Sequence, residues 1–191
     1  MSDPADHPQP EQRPEQRPEQ RNVFVADEQT DVAVDAQRYA ALAAHVLDGE
    51  RVRAEAEMAV MFVDEETIAD LHLRFLGLEG PTDVLAFPMD EELIESGRQP
   101  DQGGRGPGAQ AESSDAPVVV GDVVVCPAIA ARQADENGET LEAELDLLVV
   151  HGVLHLLDYD HVDDEEAGVM QQRERDLLES FRERAGEPGP A

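Results

Sequence analysis

The segment from Leu145 to Leu157 constrains the fold more than any other part of the sequence. Its side chains are apolar on nearly every side of a helix, and a helix of this kind is buried in a globular protein. Thr140 precedes the segment as a potential N-cap, and Glu142 and Glu144 fall in the first turn, where acidic side chains are favoured. The pattern predicts a buried helix over about residues 141–157.

Apolar periodicity elsewhere in the chain alternates between strand and helix patterns. The predicted fold class is α/β (α+β), with a small mixed sheet of three to four strands packed against about five helices in a single domain. The strand candidates are residues 23–26, 55–63, 83–87 and 118–125, and the helix candidates are residues 36–48, 64–76, 127–137, 141–157 and 163–184. Asp64 is a potential cap of the second helix, and Ile68, Leu71 and Phe75 give that helix an apolar face.

Segments of low apolar content mark the limits of the predicted domain. Residues 1–21 contain the unit Pro-Glu-Gln-Arg three times in succession, and proline at this period prevents a helix. We predict a disordered N-terminal tail over 1–21 and a disordered C-terminal tail over 185–191. Residues 95–116 are rich in Gly, Pro, Gln and Ser, which predicts a flexible insertion within a folded domain that spans 22–184.

The charge of the chain is strongly negative, and all of its basic residues are arginines. The sequence has 44 acidic and 14 basic residues, for a net charge of −30. Without lysine, a Schiff base and the lysine of a Walker-type phosphate loop are both excluded. Because nucleic-acid binding depends largely on Lys and Arg contacts to phosphates, a general nucleic-acid-binding module is disfavoured. An enzyme that uses a metal ion and a few arginines in a cleft is compatible with this charge.

The remaining bulk features favour a cytoplasmic protein. No apolar stretch approaches the ~20 residues of a membrane span, so we expect no membrane-spanning helix. The polar N-terminus does not resemble a signal peptide, so we expect no signal peptide either. Cys126 is the single cysteine, which excludes an internal disulfide and a cysteine-based zinc site. Nothing near Cys126 in the sequence would activate its thiol, so we predict a buried residue at the end of a strand rather than a nucleophile.

The segment HGVLHLLDYDH, from His151 to His161, holds three of the six histidines. His151 and His155 are four apart on the predicted helix, so both side chains lie on one face within reach of a common ion. Residues 158–160 should break the helix and bring His161 back as a third ligand. Three imidazoles suit Zn²⁺ best but also admit Ni²⁺ or Cu²⁺. They leave one position open for water, whose pKa zinc lowers to about 7.

Other interpretations of these histidines remain open. They could be core side chains bonded to backbone carbonyls, or ligands of a purely structural metal, for which Asp158 or Asp160 could be the fourth ligand. Zinc peptidases with two histidines at this spacing carry a glutamate directly after the first, as general base. Gly152 occupies that position and would instead let another backbone or a substrate approach the helix closely. A peptidase of that type is therefore disfavoured.

HGVLHLLDYDH resembles the signature of the YbeY family, H-G-x-L-H-L-x-G-Y-D-H. Three further blocks are similar in type and order, namely residues 67–72, GPTDVLAFP over 80–88 and VGDVVVCP over 120–127. The resemblance covers about residues 23–182. It implies a metal-dependent endoribonuclease, specific for single-stranded RNA, that matures the 3′ end of 16S rRNA and acts in ribosome quality control. It also implies a small-subunit ribosomal protein and a ribosome-assembly GTPase as partners.

Under this resemblance the three histidines carry over directly as metal ligands, but neighbouring positions depart from the family pattern. Asp158 replaces the motif glycine, at a position that should end the helix with a positive φ. Leu76 stands where well-known members have an arginine, and Ala86 replaces a serine. Arg74 is the nearest arginine that could stabilise a phosphate, and it is equally consistent with an exposed helix residue.

These observations lead to the hypothesis of metal-assisted phosphodiester hydrolysis. Arg74, or less favourably Arg132, would neutralise charge that develops on the phosphate, and Asp160 would either orient a ligand histidine or only cap the turn. One alternative is a non-catalytic ribosome-assembly factor whose metal only holds the helix and the turn together. Its acidic surface would mimic RNA or bind a basic protein. Another is a metallohydrolase of a different substrate. We expect no membrane and no DNA among the partners.

Overall fold

The computed structural model describes residues 21–89, 119–159 and 164–186, and within these ranges the chain forms four strands and five helices. In chain order they are β1 (Asn22–Asp27), α1 (Ala36–Gly49), β2 (Glu57–Phe62), α2 (Glu65–Leu76), β3 (Val84–Pro88), β4 (Val119–Val125), α3 (Pro127–Asn137), α4 (Leu141–Leu156) and α5 (Asp164–Ala185). The predicted α/β class, with a small mixed sheet and about five helices, is confirmed. The predicted tails and the insertion over 95–116 lie almost entirely outside the described residues and stay predictions.

The four strands form one sheet in the order β1-β2-β4-β3. β1, β2 and β4 run parallel, and β3 is antiparallel to β4. Val60 in β2 lies beside Val25 and Val123, so apolar residues of three adjacent strands share one face. Since successive side chains of a strand point to opposite faces, a mostly parallel sheet of this kind needs helices on both sides.

The larger core lies on the face of the sheet that α1 and α4 cover, and α5 packs against these two helices. Phe62, Leu42 and Leu154 are among its largest fully buried side chains. Gly152 allows α4 to approach the sheet closely, because a Cβ atom built there would lie 2.5 Å from Cγ1 of Val123. The close approach predicted for Gly152 is confirmed, and it places α4 directly against the sheet.

A smaller core lies on the other face of the sheet, under α2 and the start of α3. Ile68 is fully buried there and Leu71 is half-buried, whereas Phe75 is 60% exposed. The apolar face predicted for α2 is therefore packed only in part. Phe75 belongs to the last turn of the helix, where its ring contacts Phe87 of the edge strand β3, with centroids 4.9 Å apart. At an edge strand this contact covers the ring from one side only.

Local caps fix the ends of several helices where the sequence predicts them. The Asp64 side chain accepts a hydrogen bond from the backbone N–H of Thr67 at 2.8 Å, and the Thr140 side chain accepts one from Ala143 at 3.1 Å. Gly138 ends α3 in the left-handed conformation. Such caps satisfy orphan backbone groups within one turn, so they depend little on the rest of the fold. No helix among the described residues is long and apolar enough to cross a membrane.

Candidate metal centre

Two histidines on α4 face each other across one turn of the helix. The Nε2 atoms of His151 and His155 are 3.1 Å apart, and the rings meet edge to face with their centroids 4.5 Å apart. Residues four apart in a helix lie on the same face, which is why the two rings can meet. The structure thus brings together the two ligands that the sequence predicts on this helix.

The separation of these two nitrogens suits a shared metal ion as well as a hydrogen bond. Zinc binds imidazole nitrogens at about 2.0–2.1 Å in tetrahedral geometry, which puts two such nitrogens about 3.3 Å apart. In the absence of metal, one ring N–H can donate to the lone pair of the other ring across the 3.1 Å gap. Metal binding through both Nε2 atoms requires neutral imidazoles, so the proton of this hydrogen bond would have to move to Nδ1 of its own ring. The two described nitrogens therefore fit as part of the predicted donor set.

A carboxylate on α5 fixes the orientation of the first histidine. Oε1 of Glu174 accepts a hydrogen bond from Nδ1 of His151 at 2.7 Å, and Glu174 is only 7% exposed. An ionised carboxylate can only accept hydrogen bonds, so Nδ1 of the ring carries the proton. The lone pair is then on Nε2, the atom that faces His155, and this is the tautomer that coordination through Nε2 requires.

The histidines lie on the open side of an otherwise buried helix. Most of α4 is buried, but the His151 side chain is 29% exposed, and His155 is half-buried. The predicted buried helix is confirmed except along this row, which also includes Leu147, because neighbouring elements pack against the other faces of α4. A partly exposed row of this kind can leave a ligand position open to water, as catalytic zinc sites do.

The chain turns directly after α4, at Leu157 and Asp158. Asp158 has a φ of 65°, which confirms the left-handed conformation predicted at this position. The hydroxyl of Tyr159 donates to Oε2 of Glu50 at 2.9 Å, and Nε of Arg173 donates to Oε1 of the same carboxylate at 2.5 Å. Burial raises the pKa of the Tyr159 hydroxyl, which therefore keeps the proton that it donates. The carboxylate of Glu50 thus joins the turn to α5.

The third predicted ligand, His161, lies outside the described residues, as does Asp160. Their predicted roles stay predictions. Within the ranges 21–89, 119–159 and 164–186, no group of three His, Cys, Asp or Glu side chains is placed to hold a metal ion. His151 and His155 are therefore the described part of the candidate site, and a complete site needs at least one further ligand.

The two arginines predicted to act on phosphate form ion pairs elsewhere. Arg74 is 65% exposed and pairs with Asp70 one turn earlier on its own helix, at 3.2 Å. Arg132 forms a two-pronged ion pair with Glu65, at 2.6 and 3.0 Å. No described contact joins Arg74 or Arg132 to His151 or His155, so the phosphate role of Arg74 stays a prediction.

Leu76, at the position of the family's arginine, is 59% exposed. Exposed next to it are Leu73, Phe75 and Leu78. Cys126 is buried directly after β4, so the predicted buried position at a strand end is confirmed, and burial raises the pKa of its thiol.

Glu174 is the site residue that the sequence analysis missed. It lies on the buried face of α5, four residues after Met170 and three before Leu177, both of which are 2% exposed. A carboxylate in the middle of an apolar stripe is the signal that could have identified it, since buried charges are almost always paired. Its partner, His151, is 23 residues away in the chain, a separation for which no spacing rule exists.

Comparisons with known proteins agree with this architecture. The solution structure of TM1509 from Thermotoga maritima shares the fold, with a TM-score of 0.52 and 24% identity over 88% of this chain and 99% of that one. Proteins named Endoribonuclease YbeY include those of Thermobifida fusca, 44% identical over 84% of this chain and 94% of the relative, and Frankia alni, 40% identical over 88% and 97%. A family model described as Endoribonuclease YbeY matches residues 24–182. The chain therefore belongs to the Endoribonuclease YbeY family.

Proposed function

We propose that the chain is a metal-dependent endoribonuclease that cleaves single-stranded RNA, with one Zn²⁺ ion held by His151, His155 and His161. The observation that carries the proposal is the pair of Nε2 atoms 3.1 Å apart, with Nδ1 of His151 hydrogen-bonded to Glu174. Membership of a family whose relatives are named endoribonucleases supports the reaction class. The partial exposure of both histidines supports a catalytic rather than a closed structural site.

The chemistry divides between the metal and the side chains. A bound zinc ion would supply a polarised phosphoryl oxygen, an activated water, or both. His151 and His155 present their ring nitrogens to one position, and Glu174 keeps His151 in the required tautomer. Arg74 would neutralise charge on the phosphate. An exposed ion pair within a helix contributes little to stability, so Arg74 can exchange Asp70 for a phosphate at small cost.

By family resemblance, the substrate is the precursor of 16S rRNA at its 3′ end, and the protein acts in ribosome quality control in the cytoplasm. The same resemblance suggests a small-subunit ribosomal protein and a ribosome-assembly GTPase as partners. The net charge of −30 supports basic proteins as partners, because opposite charges steer association. The same charge argues against general binding to DNA, which requires many cationic contacts.

A non-catalytic assembly factor with a structural metal is the second candidate function. The strongly acidic composition favours it, because an acidic surface can mimic RNA or bind a basic protein. In this case the metal would mainly stabilise the fold. Removal of the metal would then lower the midpoint of unfolding strongly, and the protein would have no nuclease activity to lose.

The test combines metal analysis of the purified protein with cleavage of a single-stranded RNA, with and without a chelator. We expect one zinc ion per chain and cleavage that the chelator abolishes. His155→Ala should lose both metal and activity, whereas His72→Ala is a matched control, since His72 is a half-buried residue of α2 whose described hydrogen bond is with the carbonyl of Gly80. Full nuclease activity in metal-free His155→Ala would refute metal catalysis. Bound metal without cleavage would favour the assembly factor.

A further inference from the structure

We propose that Glu174 is a positioning residue of the metal centre, which holds His151 in the Nδ1–H tautomer and thereby strengthens metal binding at Nε2. The inference deepens the proposed function and rests on its metal site. It assigns a role to a residue of α5, a helix that contributes none of the histidines.

The position of Glu174 requires a partner that can carry positive charge. Its side chain is 10% exposed, and Oε1 lies 2.7 Å from Nδ1 of His151. Burial of an ionised carboxylate is costly unless the group is paired and hydrogen-bonded. An imidazole bound to a metal ion meets this need, because the metal polarises the ring and strengthens the N–H as a donor. The buried carboxylate and a metal at His151 therefore stabilise each other.

The hydrogen bond also selects which nitrogen of His151 is available. A neutral imidazole carries its proton on either nitrogen, and the other nitrogen holds the lone pair. With Glu174 as acceptor, the proton stays on Nδ1, and the lone pair points toward Nε2 of His155, 3.1 Å away. Without the carboxylate, part of the population would carry the proton on Nε2 and could not bind a metal there.

α5 is held in place by contacts that do not involve Glu174. Arg173, the preceding residue, donates to the carboxylate of Glu50 and to the backbone carbonyl of Gly49 at the end of α1. Met170 and Leu177 anchor the same stretch in the main core. A substitution at Glu174 should therefore remove the hydrogen bond to His151 and leave the helix in its position.

The experiment compares Glu174→Ala and Glu174→Gln with Glu179→Gln, a control on the same helix. Glu179 is exposed, so its substitution changes the charge of α5 without changing the site. Zinc affinity is measured by competition with a chelator, and the His151 tautomer is read from long-range ¹H–¹⁵N spectra of the metal-free protein. Far-UV circular dichroism checks that each variant is folded.

We expect Glu174→Ala to weaken zinc binding by about 10- to 100-fold, which is typical for loss of a carboxylate behind a metal-bound histidine. The spectra should show that His151 loses its uniform Nδ1–H form. Glu174→Gln, which keeps an acceptor oxygen but not the charge, should weaken binding less, and Glu179→Gln should match the wild type. If Glu174→Ala does not fold, Glu174→Gln with weakened zinc binding still supports the role.

The two proposals fail in different ways. A wild-type protein that binds no zinc refutes the proposed metal site, and the inference about Glu174 fails with it. A wild type that binds zinc, together with folded Glu174 variants of unchanged affinity and an unchanged His151 tautomer, refutes only the inference about Glu174. Nuclease activity is not needed for either conclusion, so the result does not depend on knowing the RNA target.

Discussion

Substitution of Gly152 by alanine tests whether the contact between α4 and the sheet sets the position of the histidines. A Cβ at this position would lie 2.5 Å from Cγ1 of Val123 and 3.3 Å from Cγ2 of Val84. Carbon atoms in contact are normally about 3.5–4.0 Å apart, so helix and strand would have to separate locally by about 1 Å. Overpacking of this kind costs about 1–3 kcal/mol.

The same substitution also stabilises the helix, so a control is needed to separate this gain in stability from the cost of overpacking. Alanine is favoured over glycine inside a helix by about 0.8–1.0 kcal/mol. Gly168 in α5 provides the control, because it is exposed and a Cβ there has no neighbour within 4 Å. Gly168→Ala should therefore stabilise the protein, and the difference in unfolding free energy between the two variants isolates the overpacking term.

The assay is urea unfolding of both variants, together with their zinc affinities. We expect Gly152→Ala to be less stable than Gly168→Ala by about 1–3 kcal/mol and to bind zinc more weakly, because the shift of α4 moves His151 relative to Glu174. Equal stabilities for the two variants would refute the reasoning. They would mean that the close approach of Gly152 to Val123 is relieved without cost.

Three further predictions concern stability away from the metal site. Asp146 is 1% exposed and accepts two hydrogen bonds from Arg38 at 3.1 and 2.7 Å, so Asp146→Ala leaves a largely buried arginine without its main partner. We expect a loss of about 3 kcal/mol in urea unfolding, at the lower end of the range for broken buried pairs, because Arg38 retains Glu142 at 3.5 Å. Asp70→Ala, which breaks an exposed pair, should cost about 0.5 kcal/mol or less. Burial lowers the pKa of His45, so the unfolded chain binds a proton at higher pH than the folded one. Its contribution to stability should be complete above the unfolded pKa of about 6.5 and fall as the pH drops through the lower folded value, and His45→Gln should reduce this slope of unfolding free energy against pH.

Most of the fold could be predicted because the signals that define it are local. The caps at Asp64 and Thr140 and the glycine at the end of α3 act within one helical turn, and the valines of β4 mark a buried strand on their own. The four-residue spacing of His151 and His155 is also a local signal, because it places both side chains on one face of α4. These features depend on residues close together in the chain, which a single sequence displays directly.

The features that could not be predicted depend on how distant elements pack. Phe75 has the right helical spacing for a buried face, but it is exposed because α2 ends beside an edge strand. The exposure of His151 depends on which faces of α4 the other helices cover. Glu174 meets His151 only because α5 packs against α4, and that contact has no sequence spacing of its own.

The pairing of β3 with β4 makes the length of their connection nearly irrelevant to the site. Pro88 is the register partner of Gly121, and the backbone N–H of Met89 donates to the carbonyl of Val120 at 3.3 Å, so the chain leaves and re-enters the sheet at adjacent points, as in a hairpin. Closing a longer loop costs only about 0.6 kcal/mol for each doubling of its length. Residues 90–118 could therefore be lengthened, shortened or replaced by a tight turn, while α4 and its histidines keep their place.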